Sequence, residues 1–296
     1  MLTDHDREIR ARRIGASEVA AVLGISPYAD ATPFAVWARL TQGYQRPEAS
    51  ELTAGTYLER AVADWYLDFI QDGRFLNLDK SSKSLEHLEH DWLCATPDRI
   101  VSEIYSRPGE PPHQEERELH LLECKTDRDR DAWGTPGTDQ VPVHVAAQVQ
   151  VQMAVTGFDR CDVAVLFKSR DEFACYTVMR DEVVIGHIIR ECGAWYARHV
   201  IGGEMPPLDG GNAAAAYLNQ RYKGGAPLAV ATPEQRAMVT AYSEQKATIK
   251  RLTSEADIMR QRIALELGDS NGWEGLCTFK PNKKGVRSLL LTAEKE

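Results

Sequence analysis

The chain has 296 residues, 43% of them hydrophobic and 27% charged, with a mean hydropathy of −0.39. This length and balance predict a folded globular protein of one large domain, at most with an appendage, and exclude wholesale disorder. A formal net charge of −9 excludes a protein that holds nucleic acid by overall charge alone, while leaving room for a local basic surface or a metal-mediated contact.

The N-terminal segment MLTDHDREIRARR is charged and has no apolar stretch behind it, so no secretory leader is expected. No apolar run approaches the roughly 18 residues of a membrane span. Residues 1–25 read as a basic entry followed by a short helix, EVAAVLG, with Ser17 as its N-cap and Gly24 at its end. Thr32 and Pro33 open a second helix through PFAVWARLTQG. A third helix is expected over about 54–71, where Leu58, Val62, Trp65, Tyr66 and Phe69 form an apolar stripe.

Short strand-like runs follow in DWLCAT, PDRIVSE and ELHLLECK. Between the last two lies SRPGEPPHQEER (106–117), a proline- and acid-rich stretch expected to be a solvated hairpin connection. A helix is predicted over 142–156 and closed by Gly157, then strands in CDVAVLFK and FACYTVM, then a helix over 181–201. The composition shifts to a linker at 202–212. The domain reading is therefore 1–205 as the main domain, 206–232 as a linker region with a short helix, and 233–296 as a long helix with a strand-like tail. Thr232 and Pro233 start that helix and Gly268 ends it. Ile249, Leu252, Ala256, Met259, Ile263 and Leu267 lie on one stripe, so the helix should pack on something, either the main domain or a neighbouring subunit. The tail is basic, with Lys280, Lys283, Lys284 and Arg287 and no acid among residues 277–291.

The six cysteines (94, 124, 161, 175, 192 and 277) form no CxxC pair. That speaks against a zinc ribbon or a four-cysteine iron–sulfur site and fits reduced thiols in the cytoplasm. There is no Walker A motif, no HExxH and no GxSxG. The tryptophans 37, 65, 133 and 195 read as packing residues, with Trp133 in the loop expected to border any site. His144 reads as a packing or capping residue.

The chemical signal lies in four polar residues. Asp98 sits in ATPDRIV, after a proline that stiffens the turn. Glu123 and Lys125 sit two apart in LHLLECKT, so strand alternation puts them on one face and Cys124 on the other. Glu59 lies mid-way along the third helix. A charged pair ending an apolar strand is costly unless its charges are paired or bind a metal. Carboxylates converging on one point make a hard-oxygen site suited to Mg²⁺, with Mn²⁺ as a substitute. Such a metal lowers the pKa of a bound water and polarises a phosphoryl group, and a nearby lysine offsets charge at the attacked phosphate.

Four blocks in order then resemble the YqaJ-type viral recombinase family, alkaline exonucleases related to lambda exonuclease in the PD-(D/E)xK nuclease superfamily. They are RRIGASEVAAVLGISPY (12–28), AGTYLERAVADWY (54–66), ATPDRIV…LLECKT (95–126) and AAQVQVQMAVTGFDRCDVAVL (146–166). The resemblance implies an α/β fold, a restriction-endonuclease-like core with a central mixed sheet flanked by helices, here with a helical C-terminal extension. It makes Asp98 and Glu123 the metal-binding carboxylates, Glu59 the helical acid that completes the metal environment, Lys125 the catalytic lysine and Gln148 a glutamine of the active site. Gln152, one turn on, can share that face and Gln150 cannot; the plain expectation for both is a solvated face. Arg10, with Arg13 second, is implied as the contact to a DNA 5′ phosphate, with Ser17 in the same pocket. The implied activity is Mg²⁺-dependent hydrolysis of double-stranded DNA ends in the 5′-to-3′ direction, leaving 3′ single strands for an annealing protein. A homo-oligomer, a trimer by analogy, is implied as well. A structure-selective endonuclease and a non-catalytic DNA-end-binding recombination protein are the alternatives. The 24 residues between Asp98 and Glu123 are a long connection and must loop out.

Overall fold

Strands dense in Val, Ile, Leu and Cys build a five-stranded sheet in a computed structural model that describes residues 4–45, 50–70, 76–79, 83–105, 115–282 and 284–292. In chain order the elements are α1 (Asp4–Ala11), β1 (Ile14–Gly15), α2 (Val19–Val22), α3 (Pro33–Gln42), α4 (Ser50–Ile70), β2 (Leu76–Asp79), β3 (Leu85–Glu86), β4 (Leu93–Ala95), β5 (Arg99–Tyr105) and β6 (Glu115–Asp127). They continue as α5 (Val143–Thr156), β7 (Arg160–Phe167), β8 (Glu172–Met179), α6 (Glu182–Tyr196), α7 (Asn212–Arg221), α8 (Pro233–Leu267), β9 (Gly272–Trp273), β10 (Cys277–Pro281) and β11 (Arg287–Leu291).

The sheet order is β2-β5-β6-β7-β8. All neighbours are antiparallel except β6 and β7, which run parallel. A parallel pair needs a crossover, and α5 supplies it. Alternation along β6 then divides the core. Leu121 points into a cluster with Val145, Val149 and Met153 of α5. Leu122 points to the opposite face, with Val62, Ala63 and Tyr66 of α4. The fold is thus an α/β core with a central mixed sheet between helices. A third cluster joins α2, α5 and α6 through Val19, Val151 and Ile188 over the small sheet β1-β4-β3.

Local signals set most element ends. Thr32 caps α3 by accepting from the Ala35 N–H at 3.1 Å. Asp181 caps α6 by accepting from Val183 and Val184. Thr232 and Gln235 cap α8 reciprocally. Gly157 ends α5 at a φ of 83°, which a side chain rarely adopts.

Three local expectations are corrected. Residues 4–11, read only as a basic entry, form a helix of their own. Ser17 is not an N-cap: a 3₁₀ turn, Ala16–Glu18, precedes α2, and the Glu18 carboxylate takes the Gly15 N–H at 2.9 Å instead. Residues 115–117 belong to β6 and pair with β5, so they are no part of a solvated connection; residues 106–114 of that segment lie outside the described residues.

The chain forms two compact units, 1–223 and 224–296. The short helix expected in the linker, α7, packs in the first unit, where Ala213, Ala214 and Tyr217 meet Phe34 and Trp37 of α3. In the second unit α8 buries Leu267 against Cys277 and Phe279 of the sheet β11-β10-β9. Lys283 of the basic tail lies outside the described residues.

Candidate active site

The hairpin of β5 and β6 collapses the long sequence gap. Arg99 stands opposite Leu122, so Asp98, at the mouth of β5, faces the Glu123–Cys124 step of β6. The Cys124 N–H donates to Asp98 Oδ2 at 2.8 Å. The side of β6 that carries Leu121 also carries Glu123 and Lys125, and there α5 presents Gln148 and Gln152, one turn from each other.

Glu123 is 3% exposed, and both of its oxygens are held. Oε1 accepts from Lys125 Nζ and from Gln148 Nε2, each at 2.6 Å, and Oε2 accepts from Gln152 Nε2 at 2.7 Å. Lys125 Nζ also donates to Gln148 Oε1 at 2.9 Å. Burial pulls the lysine pKa down, but Glu123 and Asp98 together outweigh it, so the ammonium ends above its ordinary value. Asp98 moves the other way. Burial first, and the neighbouring Glu123 carboxylate second, raise its pKa well above the usual carboxylate range, against the pull of Lys125 and the Cys124 N–H.

Two acids held together with one of them resisting ionisation is a donor set that fits a hard divalent cation, whose charge would remove the resistance. A small divalent cation that retains waters needs only one or two carboxylates, a number that Asp98 and Glu123 would meet. Glu59 is committed differently: its Oε1 accepts from Arg99 Nη1 at 2.6 Å, and the same nitrogen donates to the Asp98 carbonyl. Among the described residues no group of three or more His, Cys, Asp or Glu side chains is close enough to enclose a metal.

Beside these groups Arg10, Ser17, Thr96, Gln148 and Gln152 line one recess. The Arg10 guanidinium lies over Gly15, where a Cβ would meet its Nη2 at 3.6 Å. Arg39 organises this corner. It grips both oxygens of Glu18, at 2.6 and 2.7 Å, and donates to the carbonyls of Arg10 and Arg13. The Arg13 guanidinium is turned to Glu86 at 2.7 Å and to the Ile9 carbonyl, away from the recess.

Gln150 and Gln152 are corrections to the sequence reading. Both are buried, at 4% and 1% exposure. Gln150 donates to the Met179 carbonyl and accepts from the Asp181 N–H, so it ties α5 to the start of α6. Gln152 holds Glu123, and its Oε1 is buried without a partner. The signal for both was the apolar surround of α5: a helix buried on all sides must satisfy its polar residues inside the protein. Arg39 and Arg99 carried no sequence signal. Trp133 is a packing residue, set on Phe167 and Tyr176 with its N–H donated to Asp127. His144 packs edge-on against Tyr28. Burial first, and Lys125 second, lower its pKa. No helix among the described residues is long and apolar enough to cross a membrane.

Among known proteins, residues 7–159, just over half of the chain, match the model of the YqaJ-like viral recombinase domain. The uncharacterized protein YqaJ of Bacillus subtilis (strain 168) is 27% identical over 270 residues, which cover 88% of this chain and 77% of that protein. An alkaline exonuclease from Laribacter hongkongensis is similar over 74% of this chain and 97% of its own, with 21% identity and a TM-score of 0.49. A phage-related exonuclease from Haemophilus somnus 129PT is similar over 65% of this chain and 96% of its own, with 13% identity and a TM-score of 0.44.

Proposed function

The chain belongs to the YqaJ-like viral recombinase family, and from that premise we propose that it is a metal-dependent DNA exonuclease that works from the 5′ end of a duplex and leaves a 3′ single strand for an annealing protein. The observation that supports this most is the joining of two features: the Asp98–Glu123–Lys125 cluster and, sharing Gln148 and Gln152 with it, a recess lined by Arg10 and Ser17.

In this reading Asp98 and Glu123 would hold Mg²⁺, which when bound would supply a water of lowered pKa and a Lewis acid for a phosphoryl oxygen. Glu123 and Asp98 raise the Lys125 pKa, and as an ammonium Lys125 would offset charge on the attacked phosphate. Gln148 accepts from the Lys125 ammonium and donates to Glu123, so it fixes the distance between the two. Gln152 holds the second Glu123 oxygen. Glu59 acts through Arg99, which also carries the Asp98 carbonyl.

Arg10 is the guanidinium in the recess, and a planar fork of donors matches a terminal phosphate. Anchoring the 5′ phosphate there sets the polarity. The test is digestion of linear duplex labelled at either end, with and without a 5′ phosphate, beside Arg10→Ala. Release from the 5′ end that is faster with the phosphate, and a phosphate effect that disappears in Arg10→Ala, is the expected result. Release from the 3′ end removes the polarity, and cutting of closed circular DNA moves the activity to an endonuclease.

A further inference from the structure

An aromatic ring that the core does not use stands beside the cluster. Tyr28 lies in the turn between α2 and α3. Its N–H donates to Ser26 Oγ at 3.3 Å and its carbonyl accepts from the Ala31 N–H at 2.9 Å, so its backbone is held on both sides. The ring belongs to none of the apolar clusters of residues 1–223. Its ring neighbour is His144, with centroids 5.6 Å apart and 82° between the planes. A perpendicular neighbour covers at most one face of a ring and leaves the other for a planar ligand.

The position of Tyr28 follows from α5. Gln152, Gln148 and His144 stand one turn apart on one face of that helix. Gln152 holds Glu123 and lines the recess of Arg10 and Ser17. Gln148 lines the recess too and meets Lys125. His144, a further turn of about 5.4 Å along, meets Tyr28. Both rings are close enough to Lys125 for its charge to be felt: the ammonium acts on His144, and Tyr28 acts on the ammonium. Recess, Lys125 and Tyr28 therefore succeed one another along α5. All of them belong to the first unit, so whatever admits DNA to Lys125 admits it to the ring.

A strand with its terminal 5′ phosphate in the recess and its next phosphate at Lys125 continues, in its 3′ direction, to Tyr28. Every base has a flat π face, and stacking on an aromatic side chain tolerates any sequence. That suits an enzyme that must accept each base in turn. We propose that Tyr28 is the stacking platform for the second base of the 5′ strand, the base immediately 3′ of the bond that is cut. This rests on the reading of the recess as a 5′-phosphate site.

The test uses the full chain and short duplexes with a labelled 5′ phosphate. The 5′ strand is intact or carries a tetrahydrofuran abasic residue at its first or second position. Initial release of the labelled first nucleotide gives KM and kcat. Tyr28→Ala is expected to raise KM on the intact duplex about 10-fold with kcat little changed, the mark of lost binding. The KM ratio of second-position abasic to intact duplex is expected to be about 10-fold larger for the unmodified chain than for Tyr28→Ala. Tyr28→Phe, which keeps the ring, is expected to keep the larger ratio. The first-position ratio is expected to be the same in all three proteins. A second-position ratio that Tyr28→Ala leaves unchanged, a ratio lost in Tyr28→Phe, or a Tyr28-dependent ratio at the first position instead would each overturn the platform and leave the exonuclease reading standing. No release from any duplex by the unmodified chain would overturn both.

Discussion

Glu123 reaches the surface with 3% of its area and takes three side-chain hydrogen bonds, so its carboxylate is oriented before any ligand arrives. Asp98 has a single backbone donor, and its ionisation is opposed by burial and by Glu123. A carboxyl with a raised folded-state pKa stabilises the fold below its unfolded pKa, and this contribution is lost as the pH rises through the folded value. Asp98→Asn is therefore expected to raise the melting temperature of the metal-free protein at pH 8 by a few degrees, about 1 kcal/mol, while removing Mg²⁺-induced stabilisation. Thermal unfolding with and without Mg²⁺ measures both, and a lower metal-free melting temperature would contradict the account. At this scale Glu123 and Lys125 were legible from strand alternation and the cost of burying charge, and Asp98 from its place after a proline and from the resemblance of the block that carries it. Gln152 was not read correctly. Its partner lies 29 residues away, and a glutamine between Val151 and Met153 reads as a solvated position until α5 is known to be enclosed.

At the scale of elements, the strand that carries the site is braced from behind. Tyr66 of α4 donates to Asp162 of β7 at 2.5 Å and lies 2.8 Å from His120 Nε2 of β6. Arg160 meets both Asp162 oxygens, at 2.8 and 2.7 Å, and Thr177 of β8 adds a fourth hydrogen bond. Burial raises the Asp162 pKa, but hydrogen bonds from His120, Arg160 and Tyr66 outweigh it and hold the carboxyl far below its usual range. For a depressed carboxylate the stability is fully present above the unfolded pKa and is lost as the pH falls through the folded value. Asp162→Asn is expected to cost about 3 kcal/mol at neutral pH, because it breaks a buried charge network. Urea denaturation at pH 7 and pH 3 is expected to show a smaller acid-induced loss in the variant than in the unmodified protein; an equal loss would remove Asp162 as its source. The apolar alternation of β6 and β7 was readable in the sequence. The brace was not, since its members stand 54 and 96 residues from Tyr66 and only the sheet order joins them.

Over the whole molecule, the long helix with its start at Thr232 and Pro233 and its end at Gly268 was legible, because capping is local. The end of the first unit was less so. Alanines in α7 carry no strong pattern, and their attachment depends on the aromatic surface of Phe34, Trp37 and Tyr217. Residues 222–232 form neither helix nor strand and are exposed. Limited trypsin digestion is expected to cut first after Lys223 and to leave two resistant fragments; a first cut inside the sheet β2-β5-β6-β7-β8 would contradict the division into units. A net charge of −9 is compatible with DNA as substrate only if local groups carry the contact, and the account assigns that work to Asp98, Glu123, Lys125 and Arg10. The most direct measurement is nucleotide release from linear duplex DNA in Mg²⁺ and in EDTA, for the unmodified chain, Lys125→Ala and Gln152→Leu. Release is expected in Mg²⁺ and not in EDTA, with a loss of about 100- to 1,000-fold in Lys125→Ala and of about 10- to 100-fold in Gln152→Leu. Release that persists in EDTA, or that survives Lys125→Ala at the unmodified rate, would contradict it.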